Sequence, residues 1–456
     1  MKVHNQKLKG VIFLSVLTLL FVGCNRSTKD STDFTVQPSS ETAEPKESLN
    51  FRITWKSYSG RGEALNKIVE SYNALNQTDY QITIVSGDED LTTIESLLSK
   101  VESSDSTTSS EVLAYADIYM LPYRYVQYFG YKNKLDDLTD DFTVEKDYFF
   151  ESLWKLGVVD ENVYGIPWLG HTMGLIYNQD LLEKAGVNPE QIKDLDTLVS
   201  ACEKIESATD AKGFGLVGAE HNDVSWMVNQ FIYGFGGSLV SEDGSNVTIN
   251  TAQSKAALEF YKNILGAHAQ ESWKTDTGVE VMDAFRNQKI AFEIQGLWGV
   301  TDIWQNGKPF ETGIIPLEDI GLYPEVGPMM LALPTNLDTE KRTAAIDFIR
   351  YLISSNAQEQ IMAGEYSPEH DAFYPFRIPV RKDVAQSSVF DKYPEFAEFI
   401  SGFSTPSIDV PVPLWQKIKD EYYAPGLHQV MEDQLSIDDF LNNIEIQGNK
   451  ILNSKD

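Results

Sequence analysis

Strand and helix signals alternate twice along this chain, from Phe51 to Leu121 and again from Tyr164 to Leu333, and this rhythm restricts the fold more than any single motif. In the first series, strand-like segments at Phe51–Trp55, Gln81–Val85 and Asp117–Leu121 are separated by amphipathic stretches at Glu63–Leu75 and Leu91–Val101. In the second, helical spacing at 179–185, 194–207, 226–233, 254–268 and 279–288 interleaves with extended segments at 173–178, 213–217 and 290–294. A strand at 330–333 and a helix at 340–354 follow, and the C-terminal third reads as largely helical. Such alternation predicts an α/β protein with mixed, mostly parallel sheets flanked by helices. Ligands of such sheets bind beyond the strand C-terminal ends, which nominates Trp55, Tyr58 and the turn Pro122–Tyr125.

The chain has 456 residues, more than one hydrophobic core usually organises, so two lobes are expected. Its 37 Lys and Arg stand against 68 Asp and Glu, a formal charge of -31 that repels phosphate backbones and makes nucleic acid an unfavourable partner. Cys202 falls in a helical apolar pattern and reads as a buried small hydrophobe. The six histidines lack metal-ligand spacing, and no cofactor motif emerges. Gly213–Gly218 matches G-x-G-x-x-G by letter, but its glycines interleave a strand instead of joining a strand to a helix, which argues against a dinucleotide site.

The N-terminus carries Lys2, Lys7 and Lys9 ahead of an apolar run from Val11 to Val22, the layout of an export signal. Phe21-Val22-Gly23-Cys24 resembles the lipobox of bacterial lipoproteins, in which the cysteine is acylated and becomes the new N-terminus, although the lipobox prefers Leu where Phe21 stands. That resemblance implies removal of residues 1–23 and attachment to the outer face of the cell membrane through acyl chains such as palmitate. Ordinary cleavage with Cys24 incidental is the alternative. Residues 24–50, rich in Ser, Thr, Glu and Pro, read as a disordered tether with a span of roughly 25 to 30 Å.

Aromatic residues beside glycines and prolines, outside helical stripes, suit a sugar: an indole or phenol covers the apolar face of the ring while amides, carboxylates and arginines bond its hydroxyl rim. The segment Asn162–Gly186 resembles the signature of extracellular solute-binding proteins, family 1, the carbohydrate-binding subunits of ABC importers. Ala284–Trp298 is similar to that family's helix, strand and Gly-x-Trp turn. Ala344–Gln360 resembles its late amphipathic helix, and Pro375–Val380 the return segment after it.

The resemblance implies a two-lobed periplasmic-binding-protein-like fold of type II, with a hinge between discontinuous lobes: residues 51–164 and 328–377 in the first, 165–327 and 378–456 in the second. It implies Trp55, Tyr58, Tyr123 and Arg124 on one side of the solute and Trp168, His171, Trp226, Gln295 and Trp298 on the other, with Arg377 near the crossing and Trp168 and Trp298 as stacking walls. Where many members carry a glycine pair, this chain has Val326-Gly327-Pro328-Met329-Met330, and both methionines are expected to pack the hinge. The implied partners are a carbohydrate and the permease subunits of an ABC transporter, with the receptor itself a monomer in a Gram-positive bacterium. With Arg124, Arg377 and Arg61 as the only candidate cations, neutral cargo is expected. A receptor for a non-sugar solute, a secreted glycan-cleaving enzyme and a solute sensor for a signalling receptor are the competing readings.

Overall fold

The computed structural model describes residues 46–56, 59–87, 91–100, 116–391, 393, 395–404, 410 and 412–454. The signal segment, Cys24 and the tether up to residue 45 lie outside the described residues, as does Tyr58.

Two sheets organise the chain. The strands are β1 (Glu47–Ile53), β2 (Tyr80–Ser86), β3 (Ile118–Pro122), β4 (Val158–Val159), β5 (Asn162–Val163), β6 (Ile166–Thr172), β7 (Gly174–Asn178), β8 (Lys212–Gly215), β9 (Ile290–Gln295), β10 (Thr312–Pro316), β11 (Val326–Ala332), β12 (Glu365–Ser367), β13 (Ala372–Tyr374) and β14 (Ile378–Pro379). The larger sheet has the order β14-β6-β11-β3-β1-β2 and the smaller β10-β7-β9-β8, while β4-β5 and β12-β13 form short hairpins.

Strand β1 begins at Glu47, so the last residues assigned to the tether belong to the sheet, in parallel register with Tyr80–Ser86. Ser48, polar and exposed, is an edge contact that a composition count cannot tell from linker; its Oγ donates to Thr83 Oγ1 at 2.7 Å. The sheets are mixed, but not mostly parallel. Among the described residues, parallel pairing is confined to β1-β2, β1-β3 and β8-β9, and every other strand pair is antiparallel. The physical reason lies in the crossings. Strand β11 enters the larger sheet from β10 of the smaller one, without a helical crossover inside its own sheet, and lies antiparallel between β3 and β6.

The crossings also correct the lobe boundaries. Strand β6 pairs with β11 and with β14 in the larger sheet, so residues 166–172 and 378–379 belong to the first half of the molecule. The chain changes sheets at Met173, between β6 and β7, and again between β10 and β11. Helix Thr339–Leu352 packs on helix Gly60–Leu75, where the Tyr72 hydroxyl donates to Asp347 at 2.8 Å. The C-terminal helices Ala424–Met431 and Ile437–Leu452 pack against helices Asn222–Gly234 and Ala252–Glu259 of the smaller sheet's half.

Cys202 is buried in its helix, with Gly213 of β8 packed so closely that an added Cβ would lie 2.3 Å from its own Cβ. The glycines of Gly213–Gly218 thus let β8 approach a helix, a packing role. Among the described residues no helix is long and apolar enough to cross a membrane, and no cluster of His, Cys, Asp and Glu has the makings of a metal site.

Candidate functional site

Five helices begin at one cleft. Those starting at Gly60, Tyr123, Asn222, Gly278 and Leu297 each contribute lining residues from their first turns: Arg61, Arg124, Asp223, Val279 and Trp298 among them. Helices Tyr123–Tyr131 and Leu297–Gln305 follow directly on β3 and β9, so the cleft lies at the strand C-terminal ends where a ligand is expected. Its volume is about 440 Å³, and His171, Glu325, Met329 and Arg377 line it near the segments that pass between the sheets.

Asp223 is the organising residue on one wall. Its Oδ2 accepts the Gly278 backbone N–H at 2.9 Å and its Oδ1 the Trp226 indole N–H at 3.2 Å. His221, the N-cap residue of helix Asn222–Gly234, stands with Nδ1 3.1 Å from the same carboxylate. Burial alone would push the Asp223 carboxyl up, but the bonds from His221, Gly278 and Trp226 together hold it below its ordinary value. The same contact holds His221 above its own.

Gln295, at the end of β9, uses both ends of its amide. Its Nε2 donates to the Gly278 carbonyl at 3.1 Å, and its Oε1 accepts the Trp298 indole N–H at 3.0 Å. Gln295 therefore acts first by fixing the Trp298 plane and the start of helix Gly278–Arg286. The Arg377 guanidinium carbon lies 4.6 Å from the Trp298 ring centre, and the His171 ring meets the same indole edge-on at 5.8 Å. Burial pushes the His171 imidazole below its ordinary pKa against the pull of Glu325, 3.9 Å away, and Arg377 and Arg124 push in the same direction as burial. His171 is accordingly a neutral ring able to donate from one nitrogen and accept at the other.

Of the residues nominated from sequence, Arg124, His171, Trp226, Gln295, Trp298 and Arg377 come together here, and Arg61 joins them. Trp55, Tyr123 and Trp168 do not. Trp168 is 0 % exposed, edge-on to Phe51 at 5.7 Å and tilted against Trp55 at 6.1 Å, so it is a core residue and not a stacking wall. The cause is a bulge: Leu169 pairs with Met329 and Pro167 with Met330, leaving Trp168 unopposed between them. Gln358 Nε2 donates to the Trp168 carbonyl at 2.9 Å and so satisfies the backbone there. Trp55 packs on Trp168 and Phe376 instead of facing the cleft.

Tyr123 is 1 % exposed and lies behind the wall, against Gly327, where a Cβ would come 2.3 Å from its ring. The segment Pro122–Tyr125 is no turn, since helix Tyr123–Tyr131 opens immediately and places Arg124 in its first turn. The two methionines divide their work. Met330 is fully buried, close to Gly157 and Gly165, whereas Met329 reaches the cleft.

Sequence reading missed His221, Asp223 and Glu325. A cap signal was available at His221-Asn222-Asp223, but starting the helix at Trp226 hid its first turn, and Glu325 is one carboxylate among many.

Two sheets with the N-terminal turns of helices from both converging on one cleft define a solute-binding fold. A family model described as bacterial extracellular solute-binding protein matches residues 67–398, and the chain belongs to that family. Its fold is that of MalE-like type II binding proteins. The maltose-bound MalE3 of T. maritima superposes with a TM-score of 0.74 at 21 % identity, covering 89 % of this chain and 99 % of that one. Lmo0181 of Listeria monocytogenes, solved in complex with cycloalternan, gives 0.69 at 19 % identity, covering 90 % and 100 %. In sequence, the multiple sugar-binding protein of Streptococcus mutans is 25 % identical over 227 residues, 46 % of this chain and 52 % of that protein. The arabinooligosaccharide-binding protein of Bacillus subtilis is 33 % identical over 119 residues, 25 % of this chain and 27 % of that protein. The chain spans about half and about a quarter of the length of these two curated relatives. A putative binding protein of Brucella abortus, 23 % identical over 291 residues, is likewise matched over 66 % of its length.

Proposed function

We propose that this protein is an extracellular receptor that takes a sugar or oligosaccharide into the cleft and delivers it, unaltered, to the permease of an ABC transporter. One observation carries the reading: the Trp226 and Trp298 indoles stand at a single cavity with their N–H groups tied to Asp223 and Gln295, which sets both ring planes before a ligand arrives. Rigid aromatic planes with polar groups beside them suit a ring that is apolar on its face and hydroxylated at its rim. A cavity of about 440 Å³ falls within the usual range for small-molecule sites. The sugar-binding names of the relatives point the same way, and the family consists of binding proteins.

In this reading Cys24 is acylated after removal of residues 1–23, holding the receptor outside the membrane. The lobes close on the ligand by bending where the chain passes between the sheets near Met173 and Glu325. A thermal-shift panel of mono- and oligosaccharides tests the receptor role, because a ligand that prefers the folded state raises the melting midpoint by mass action. A rise for at least one saccharide, smaller in Trp298→Ala at the same ligand concentration, is expected. No rise with any member would overturn the reading. Metabolic labelling with a palmitate analogue, with Cys24→Ser as control, tests the anchor.

A further inference from the structure

We infer that the ligand is a neutral oligosaccharide longer than a disaccharide: its chain leaves the cleft over Val279 and Met282 and continues in a second cavity along helix Gly278–Arg286. The inference rests on the receptor reading and sharpens it to chain length.

The second cavity has a volume of about 940 Å³, against about 440 Å³ for the cleft, and Val279 and Met282 line both. The site thus continues beyond the first turn of this helix. Val279 is 70 % exposed, more than any other large apolar side chain among the described residues. A single apolar residue on a surface is ordinary, but this one stands where two cavities meet, one helical turn ahead of the half-buried Met282. It serves the fold little, because a β-branched side chain loses rotamer freedom in a helix and, left exposed, buries almost no area in return. An isopropyl group and a thioether side by side form an apolar strip that the C–H face of a sugar ring can cover.

Past this strip the lining turns polar. From Val279 to Arg286 the helix advances about 10 Å, so the second cavity extends well beyond the cleft. Its charged side chains are four carboxylates, Asp276, Glu280, Asp283 and Asp302, and two cations, Arg286 and Lys289. Such a surface repels an anionic chain and accepts the hydrogens of hydroxyl groups. Several of these groups are already held in place. Arg286 donates to Asp302 at 2.6 Å and also to Asp283, and Asn287 Nδ2 donates to the Asp283 carbonyl at 2.8 Å. Asp276 accepts the Ser272 hydroxyl at 2.6 Å. Polar groups fixed in advance lower the ordering cost of binding further rings. A ligand confined to the cleft would use none of them.

The test is calorimetric titration of the full chain with malto-, xylo- and arabino-oligosaccharides, each as a ladder from a single ring to about six. In a series that binds, affinity is expected to rise about tenfold or more between the disaccharide and a longer member. That ratio should fall toward one in the double variant Asp283→Ala, Asn287→Ala, whose melting midpoint is measured alongside. Val279→Asp, which a helix N-terminus favours, should weaken the longer members more than the disaccharide. Affinity that peaks or levels off at one or two rings overturns the inference and leaves the receptor reading standing. A length advantage that survives both variants also overturns it, since the added rings then lie elsewhere. Failure of every ladder to bind protein that melts cooperatively overturns both.

Discussion

The Asp223 carboxylate accepts the Gly278 backbone N–H at 2.9 Å, joining the first turns of two helices that begin at the cleft. The same group accepts the Trp226 indole N–H, so one side chain sets both the gap between two helices and the plane of an indole. Asp223→Ala leaves two donors without their acceptor in a largely buried setting and should destabilise the fold by about 1–3 kcal/mol. Urea unfolding reads this directly. Asp223→Asn, which keeps an acceptor oxygen, should lose less.

The His221–Asp223 pair predicts a pH window. Asp223 is held below its ordinary value, so its contribution is present above the unfolded carboxylate pKa and is lost as pH falls through the lower folded value. His221 is raised above 6.5 mainly by its bond with Asp223, so its contribution is full below 6.5 and fades as pH rises through the folded value. His221→Gln should therefore lower the melting midpoint at about pH 6 and leave it nearly unchanged at about pH 9. An equal loss at both would show that the ring acts by packing and not by charge.

Glu293 is fully buried in β9, and neither of its carboxyl oxygens has a hydrogen-bond partner among the described residues. Burial above all, with Asp302 adding and Arg286 opposing, pushes its pKa well above 4.5. A raised carboxyl is protonated in the folded state and ionised in the unfolded one, so its penalty grows as pH climbs from 4.5 toward the folded value. The isosteric Glu293→Gln should raise the melting midpoint near neutral pH and change it little at about pH 4. Scanning calorimetry at the two pH values is the check, and an unchanged midpoint near neutrality would contradict a buried neutral acid.

Trp168 and Trp298 should separate stability from binding. Trp168→Ala opens a cavity in a close-packed core and should destabilise by about 3–5 kcal/mol. Trp298, half-buried at the cleft, should lose about tenfold or more in ligand affinity on truncation to Ala, with a smaller loss of stability. Denaturation midpoints and titration of a responding saccharide measured on both variants resolve the two roles.

Much of this architecture is legible in the chain itself, because strand and helix patterning is local. The expected helix at 179–185 coincides with Gln179–Ala185, and the expected strand at 290–294 lies within Ile290–Gln295. The rule that ligands gather beyond strand C-terminal ends nominated the segment of Arg124, and the resemblance to a known family brought in His171, Trp226, Gln295, Trp298 and Arg377. Trp168 was misplaced because a bulge is set by pairing between Ile166–Thr172 and a strand more than 150 residues away, and that pairing decides which side an indole faces. Asp223 escaped notice because its importance comes from Gly278 and Trp226, groups assembled around it only when two helices start side by side. Patterning along the chain thus settled the class of fold and the neighbourhood of the cleft. Which aromatic faces the ligand, which carboxylate is engaged and where the charges converge were decided by contacts between distant segments, whose geometry no local periodicity carries.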